Sequence, residues 1–517
     1  MFTATQLPSS LTTIATKIDR SVTQNTSVKL EKIKSRVRKE YPVSKPDLPV
    51  VVQKNTNLSS EEKTFIKHRM KKIEHTLKTY LGINQPLRMA ICCGGQDAPA
   101  MLCTLGLLQA AQDSKILDST LYLVANSGAT WMVAPWSYLF LQNKLSHQKG
   151  QSFIDLENHL QTTLTHLETT AQKQSMPPMI PAFLTHHLAP QLLTRFGYNQ
   201  PLSILDIYAG YLANFTLRFA QEGRFHTTWS SIALNAMKGK IPLPICTCLY
   251  KENNQKYHCL ENSPFQAGAP ALGYIPIQYL GSEFKNGILQ SDNMCPEYPI
   301  SYFLSIYSSK QAGIARQNYH QLIERFAYNP HITVTGNHIE LPVKTWIKTI
   351  CSTPLPAQTV SAFVHNFTYQ QTNSPIKTQK YLELLDCAAQ KSISIDPLIS
   401  RPERKIDVLF LCDGSSDEKA LLNTIQHVLP LKNQTNQIMR SETMIIINDP
   451  HNKNYDATQP TCFYFPVTKY ISKSPNSFTY NPHIPPMMKE NFESNLETII
   501  ETLQLVGQAK YPEASKK

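Results

Sequence analysis

Leu123-Val124-Ala125-Asn126-Ser127-Gly128-Ala129-Thr130-Trp131 sets a serine between an apolar run at residues 120–125 and a segment that reads as a helix from Ala129 onward. The run is short, apolar and bounded by turn residues, which is the pattern of a buried strand. A serine at a sharp turn from strand to helix is lifted out of the sheet. The amides of the following helix then face any negative charge that develops beside it. Small residues must flank so crowded a turn, and Ala125 and Ala129 stand where the commonest version has glycine. Ser127 is therefore the candidate nucleophile, weighed against an ordinary strand-to-helix turn.

The segment upstream repeats the pattern. Residues 87–93 read as a strand, Gly94-Gly95 as a tight turn, and Pro99 to Asp113 as a helix. Strand, turn and helix twice in succession open an α/β sandwich. The stretch Gly94-Gly95-Gln96-Asp97 ends its strand where backbone N–H groups can form an oxyanion hole, with Gly95 and Gln96 as the expected donors. Further upstream, Ser59 and Glu62 have capping-box spacing and begin a helix to Leu81, with Ile66, Met70, Ile73, Leu77 and Leu81 on one face. Downstream, residues 145–240 are mostly helical in pattern, broken at Met176-Pro177-Pro178 and Pro190, and suit a cap over a site. Strand-like segments return at 242–250, 381–386, 406–412 and 443–447, and a last helix runs from Asn491 to Val506.

On these residues the chain resembles the catalytic core of the cytosolic (group IV) phospholipase A₂ and lysophospholipase family, broadly patatin-like. The family reads Gly-Leu-Ser-Gly-Ser-Thr-Trp where this chain has Ala125-Asn126-Ser127-Gly128-Ala129-Thr130-Trp131. The Ser59-to-Leu81 helix, the Gly-Gly turn and Lys115-Ile116-Leu117-Asp118 keep the family's order and nearly its spacing. Later segments extend the likeness to about residues 58–505. They are Pro242-Leu243-Pro244-Ile245, Phe265-Gln266-Ala267-Gly268 through Gly281-Ser282-Glu283-Phe284, Arg401-Pro402-Glu403-Arg404, and Phe465-Pro466-Val467.

The resemblance implies a three-layer α/β sandwich with a central mixed sheet, a nucleophile elbow and a helical cap. It also implies a Ser-Asp dyad, because in the family the strand before the Arg-Pro-x-Arg segment ends in the partner aspartate. Here that strand is Leu382-Glu383-Leu384-Leu385-Asp386. Asp413 and Asp396 are competing aspartates in poorer positions. The implied reaction is hydrolysis of phospholipid or lysophospholipid acyl esters through an acyl-enzyme, and this chemistry needs no metal or organic cofactor. Two departures stand against it. The family's head-group-binding Arg aligns with Pro99, and Gln96 and Asp97 replace glycines. A weak or inactive lipid-binding or protein-interaction homologue, and an acyltransferase, are therefore the alternatives.

Length and composition bound the rest. A chain of 517 residues with 41% apolar and 17% charged residues is globular and large enough for one extended α/β domain. Residues 1–88 hold 17 Lys and Arg against 7 Asp and Glu, so +10 of the net +12 lies at the N-terminus. Residues 1–57 read as a basic arm ahead of a catalytic domain at 58–510 and a polar tail at 511–517. The arm carries one helix near 27–40, with Leu30, Ile33, Val37 and Tyr41 as its apolar stripe. Such a helix fits either an anionic phospholipid membrane, met peripherally, or the main domain. Nucleic acid is the disfavoured partner, since no zinc-finger or RNA-binding signature accompanies the charge. No run is long enough to span a membrane. The 11 scattered cysteines suit a reducing cytoplasm.

Overall fold

Ser59 opens the first long helix, α1 (Ser60–Leu81), by accepting the Glu62 N–H on its hydroxyl at 3.2 Å, and Gly82 closes it in the left-handed conformation. The computed structural model in which this is seen describes residues 31, 34, 35, 37–39, 42–145, 151–172, 189–253, 255–309, 361–414, 438–441, 443–466 and 481–516. The buried stripe of α1 is Glu62, Phe65, Arg69, Ile73, Thr76, Leu77 and Leu81. It is rotated from the expected apolar face, and Ile66 and Met70 are only partly buried. Two charged side chains draw the helix round. Glu62 enters a buried ionic cluster, and the Arg69 guanidinium donates to the carbonyls of Leu117, Thr120, Gly239 and Lys240.

The sheet begins with β1 (Met89–Gly94), α2 (Asp97–Asp113), β2 (Thr120–Asn126) and α3 (Thr130–Leu141). Helices α4 (Gln151–Gln172), α5 (Ala189–Gly197) and α6 (Ile204–Thr216) follow, so Pro190 lies within the first turn of a helix and not in a loop. Next come β3 (Leu243–Lys251), β4 (Tyr257–Asn262), β5 (Gln266–Ala269), β6 (Gly273–Pro276) and the hairpin of β7 (Phe284–Lys285) and β8 (Ile288–Leu289). Helix α7 (Ile300–Tyr307), β9 (Ala362–His365), β10 (Tyr381–Leu385), β11 (Val408–Asp413), β12 (Ile438–Arg440), β13 (Ile445–Ile447) and β14 (Thr461–Pro466) complete the sheet region. The expected C-terminal helix is two, α8 (Ile484–Glu493) and α9 (Leu496–Lys510), broken where the Asn495 side chain turns back to the Asn491 carbonyl.

Strand order is β12-β13-β14-β11-β1-β2-β3-β4-β5-β6, with β10 and β9 added beside β3. The five strands from β14 to β3 are parallel, and both margins are antiparallel. Every residue of β1, β2 and β11 is buried, so both faces of the sheet are covered, as their continuous apolar runs require.

One detail of register positions the site. Strand β4 holds one edge of β3 over Cys246–Lys251. Along the opposite edge β2 pairs in parallel up to Thr247, and β10 pairs antiparallel at Leu249 and Tyr250. Strands β2 and β10 therefore run toward each other and stop two residues apart on β3. The residues just beyond their ends, Ser127 and Asp386, meet there.

Part of the N-terminal arm lies on this body. The described residues between 31 and 39 are helical, Val37 is buried, and the Arg38 Nε donates to the Gly197 carbonyl at 2.8 Å. Val51 and Gln53 form antiparallel bridges with Ile288 and Tyr274. Residues 1–30, Ile33, Tyr41 and the Met176-Pro177-Pro178 break lie outside the described residues.

Candidate active site

Strand β2 ends in extended backbone at Asn126, and Ser127 then takes φ 50°, the left-handed region. That conformation costs a non-glycine residue about 1–2 kcal/mol and is held only where the surroundings fix it. A 3₁₀ turn at Ser127–Ala129 leads into α3, and the Thr130 hydroxyl donates to the Ser127 carbonyl at 2.6 Å. The serine hydroxyl is thereby turned out of the strand, and Ser127 Oγ donates to Asp386 Oδ2 at 3.1 Å. The two residues are 259 positions apart in sequence, and each is 1% exposed.

Asp386 is fixed on its other sides. Its N–H donates to Ser309 Oγ at 3.0 Å, and its Oδ1 accepts the Ala388 N–H at 2.8 Å across a short 3₁₀ turn. With Oδ1 so occupied, the carboxylate presents Oδ2 to the serine. The competing aspartates lie elsewhere. Asp413 ends β11 on the side of β1 away from β2, and Asp396 bonds Lys391 Nζ at 2.6 Å. Burial alone would depress the Lys391 ammonium, but Asp396 beside it raises its pKa above the ordinary value.

The glycine turn is tied to the loop after Asp386. A side chain on Gly94 would put its Cβ 2.1 Å from the Ser392 carbonyl oxygen, so only glycine fits. Gly95, at φ 105°, donates its N–H to that same Ser392 carbonyl at 2.9 Å, and its own carbonyl accepts the Gly128 N–H at 3.0 Å. The Gly95 amide, expected as one of the two oxyanion donors, thus faces Ser392. Gln96, at the N-terminal end of α2, has no protein acceptor for its N–H among the described residues. Asp97 follows at φ 61°, with its backbone against Gly128. Pro99 stands in the first turn of α2, where a missing N–H breaks no helical bond.

Three residues at the site carried no sequence signal as functional groups. Ser309 sits 77 positions before Asp386 and reaches it only through the fold. Asn126 was visible as a departure from the family's Leu, yet its bonds to Ser392 and Ser394 depend on where the later loop returns. Ser392 acts through its carbonyl, which no side-chain pattern encodes. Among the described residues no three His, Cys, Asp or Glu side chains converge as metal ligands do. A polar cleft of about 230 Å³, lined by Glu283, His365, Tyr369 and Lys380 among others, lies at the opposite end of β10 from Asp386. His365 there is buried, which holds its pKa below the ordinary value.

A family model described as a lysophospholipase catalytic domain matches residues 89–488. The chain belongs to that family. A lysophospholipase of Arthroderma benhamiae is 27% identical over 313 residues, covering 54% of this chain and 46% of the relative. A probable lysophospholipase 5 of Schizosaccharomyces pombe is 22% identical over 442 residues, covering 75% of this chain and 66% of the relative. Human cytosolic phospholipase A2 delta is 25% identical over 265 residues, covering 49% and 30%. This lysophospholipase-family chain thus spans about half the length, or less, of several relatives it matches. The solved structure of human GIVD cytosolic phospholipase A2 superposes with a TM-score of 0.62 at 18% identity, covering 90% of this chain and 69% of that one. The likeness shows the shared fold, an α/β architecture around a central mixed sheet, as the sequence led us to expect.

Proposed function

We propose that this lysophospholipase-family chain hydrolyses an acyl ester of a phospholipid or lysophospholipid, with Ser127 as nucleophile and Asp386 as general base. The observation that carries the reading is the 3.1 Å bond from Ser127 Oγ to Asp386 Oδ2, made between two buried residues at the meeting point of β2 and β10. Asp386 takes the hydroxyl proton as Oγ attacks the ester carbonyl. The oxyanion forms beside the Gln96 N–H at the N-terminal end of α2, where an amide and the helix dipole both favour negative charge. Collapse expels the alcohol, which takes the proton from Asp386, and leaves the acyl group on Ser127. The same carboxylate then deprotonates a water molecule. Its attack releases the fatty acid, and the proton returns to Ser127.

Family membership and the relatives' names support the substrate class. In this reading the helices between 151 and 237 cap the site, and the protein works in the cytoplasm at a phospholipid surface that it meets peripherally. The ten described cysteines are all free thiols, in keeping with a reducing compartment, and among the described residues no helix is long and apolar enough to cross a membrane.

A fluorophosphonate probe tests the dyad, and a solved structure of the human GIVD cytosolic phospholipase A2 holds such a compound. The wild type is incubated with the probe and, separately, with a mixed phospholipid and lysophospholipid substrate. Labelling and fatty-acid release are expected in the wild type and absent in Ser127→Ala. Asp386→Asn is expected to lower turnover at least about 10²-fold. Labelling that survives Ser127→Ala, or a wild type that releases no fatty acid, would sink the proposal.

A further inference from the structure

We infer that Asn126 is a positioning residue, a side-chain bridge that holds the Asp386-bearing loop and the Gly94-Gly95 turn in register with the nucleophile. The inference rests on the hydrolase reading above. Asn126 directly precedes Ser127 and is fully buried. Its Nδ2 donates to the Ser392 carbonyl at 3.1 Å, and its Oδ1 accepts the Ser394 N–H at 3.1 Å. The partners fix the orientation of the amide, since a carbonyl only accepts and a backbone N–H only donates.

The bridge has two consequences. First, Ser392 O also accepts the Gly95 N–H, so a single carbonyl gathers the end of β2 and the turn after β1. Were Ser392 to move, Gly95 would lose its acceptor, and Gly95 in turn holds the Gly128 amide through its carbonyl. Second, the loop from Asp386 to Ser394 is pinned at both ends. Ser309 and Ala388 hold its first residue, and Asn126 holds its last. The carboxylate therefore has a fixed distance to Ser127 set partly by the residue beside the serine. The space for this arrangement comes from Gly94, where a Cβ would stand 2.1 Å from Ser392 O and 2.7 Å from Asn126 Oδ1.

A leucine, the residue the resembled family carries here, matches asparagine roughly in size but can make neither bond. A loop released by about 1 Å costs on the order of a hundredfold in rate when it carries a reacting group. The expected result is that Asn126→Leu lowers kcat by about tenfold to a hundredfold with KM for a lysophospholipid nearly unchanged. Asn126→Asp gives the sharper readout. Its carboxyl can donate to Ser392 O only when protonated, so this variant is expected to show an alkaline limb in its kcat–pH profile that the wild type lacks.

Hydrogen exchange separates this inference from the hydrolase reading. In Asn126→Leu, peptides covering 387–396 are expected to exchange at least tenfold faster than in the wild type, whether or not the protein turns over lipid. A wild type that resists the fluorophosphonate would defeat the hydrolase proposal and leave the exchange measurement to decide the bridge. Unchanged exchange at 387–396, or kcat losses that only track the fraction of folded protein with an unshifted pH profile, would overturn the role of Asn126.

Discussion

Ser127 holds a left-handed backbone without being glycine, and its neighbour shows what keeps it there. A Cβ on Gly128 would lie 2.3 Å from the Asp97 carbonyl oxygen and 2.4 Å from the Asp97 nitrogen. Both are backbone atoms, which cannot swing aside as a side chain does. Gly128→Ala must therefore push the Asp97 turn away from the elbow, and with it the Gln96 amide. We expect fluorophosphonate labelling of this variant to fall at least about tenfold, the range of a partly lost oxyanion donor. Gly82→Ala is the matched control. Gly82 also has a left-handed φ, at 65°, but its nearest obstacle is 3.8 Å away at the end of the Gln504 side chain. It should lose about 1 kcal/mol of stability, read by denaturant titration, with an unchanged labelling rate. The contrast explains what was legible in the sequence. The small-residue pattern around Ser127 is a local steric demand and can be read directly. Asp386 was reachable only through its order relative to Arg401-Pro402-Glu403-Arg404. The direction of the Gly95 N–H was not readable, because it is set by Ser392, nearly 300 residues later.

That Arg-Pro-Glu-Arg segment joins elements, not substrate. Arg404 donates to Glu62 Oε1 at 2.9 Å on α1 and to Glu261 Oε2 at 2.7 Å on β4, while Arg401 donates to Glu261 Oε1 at 2.9 Å. Tyr122 of β2 adds its hydroxyl to Glu62 at 2.9 Å, and all five side chains are buried. Removing one partner strands a buried charge, so Arg404→Ala is expected to destabilise by about 3–5 kcal/mol in urea titration. The same cluster sets an acid limit. Burial raises the Glu62 carboxyl, but Arg404 and Arg401 outweigh it, leaving its pKa below the ordinary 4.5. A depressed folded pKa gives stability that is present above the unfolded value and lost as pH falls through the folded one. Stability should therefore drop as pH falls below about 4.5, more steeply in the wild type than in a Glu62→Gln variant. A wild-type slope no steeper than the variant's would remove Glu62 from the account. This cluster also explains why the buried face of α1 is rotated from its apolar stripe. Apolar periodicity cannot anticipate that a glutamate and an arginine face inward, since their partners are about 50 to 340 residues away. Strands β5 to β9 escaped notice for a related reason. They are two to four residues long, too short for a periodicity to register, and β7 and β8 pair only with each other.

The basic arm raises a question about the whole molecule, because three of its described cations already have partners on the protein, among them Lys45, which bonds Asp292 Oδ1 at 2.8 Å. Lys34 lies over the Phe196 ring and Arg38 over the Tyr198 ring, with Val37 buried against Gly197. Among the described residues the arm helix is therefore docked through Val37, and the cations that remain for a membrane are those not used in docking. Removal of residues 1–41 would take away eight Lys and Arg but would also uncover the surface that Val37 fills, so it confounds charge with packing. Replacing Lys29, Lys32 and Lys39 by Gln removes charge and leaves Val37, Lys34 and Arg38 in place. Each basic residue near an anionic surface contributes roughly 1 kcal/mol. The triple variant is thus expected to bind phosphatidylserine-containing vesicles at least about tenfold more weakly in sedimentation, with an unchanged melting temperature. Wild-type binding should also fall as salt is raised, since exposed charges are screened over a Debye length of about 10 Å at moderate ionic strength. Vesicle binding indifferent both to salt and to the three substitutions would show that the arm serves the fold alone, and membrane contact would then have to come from another surface.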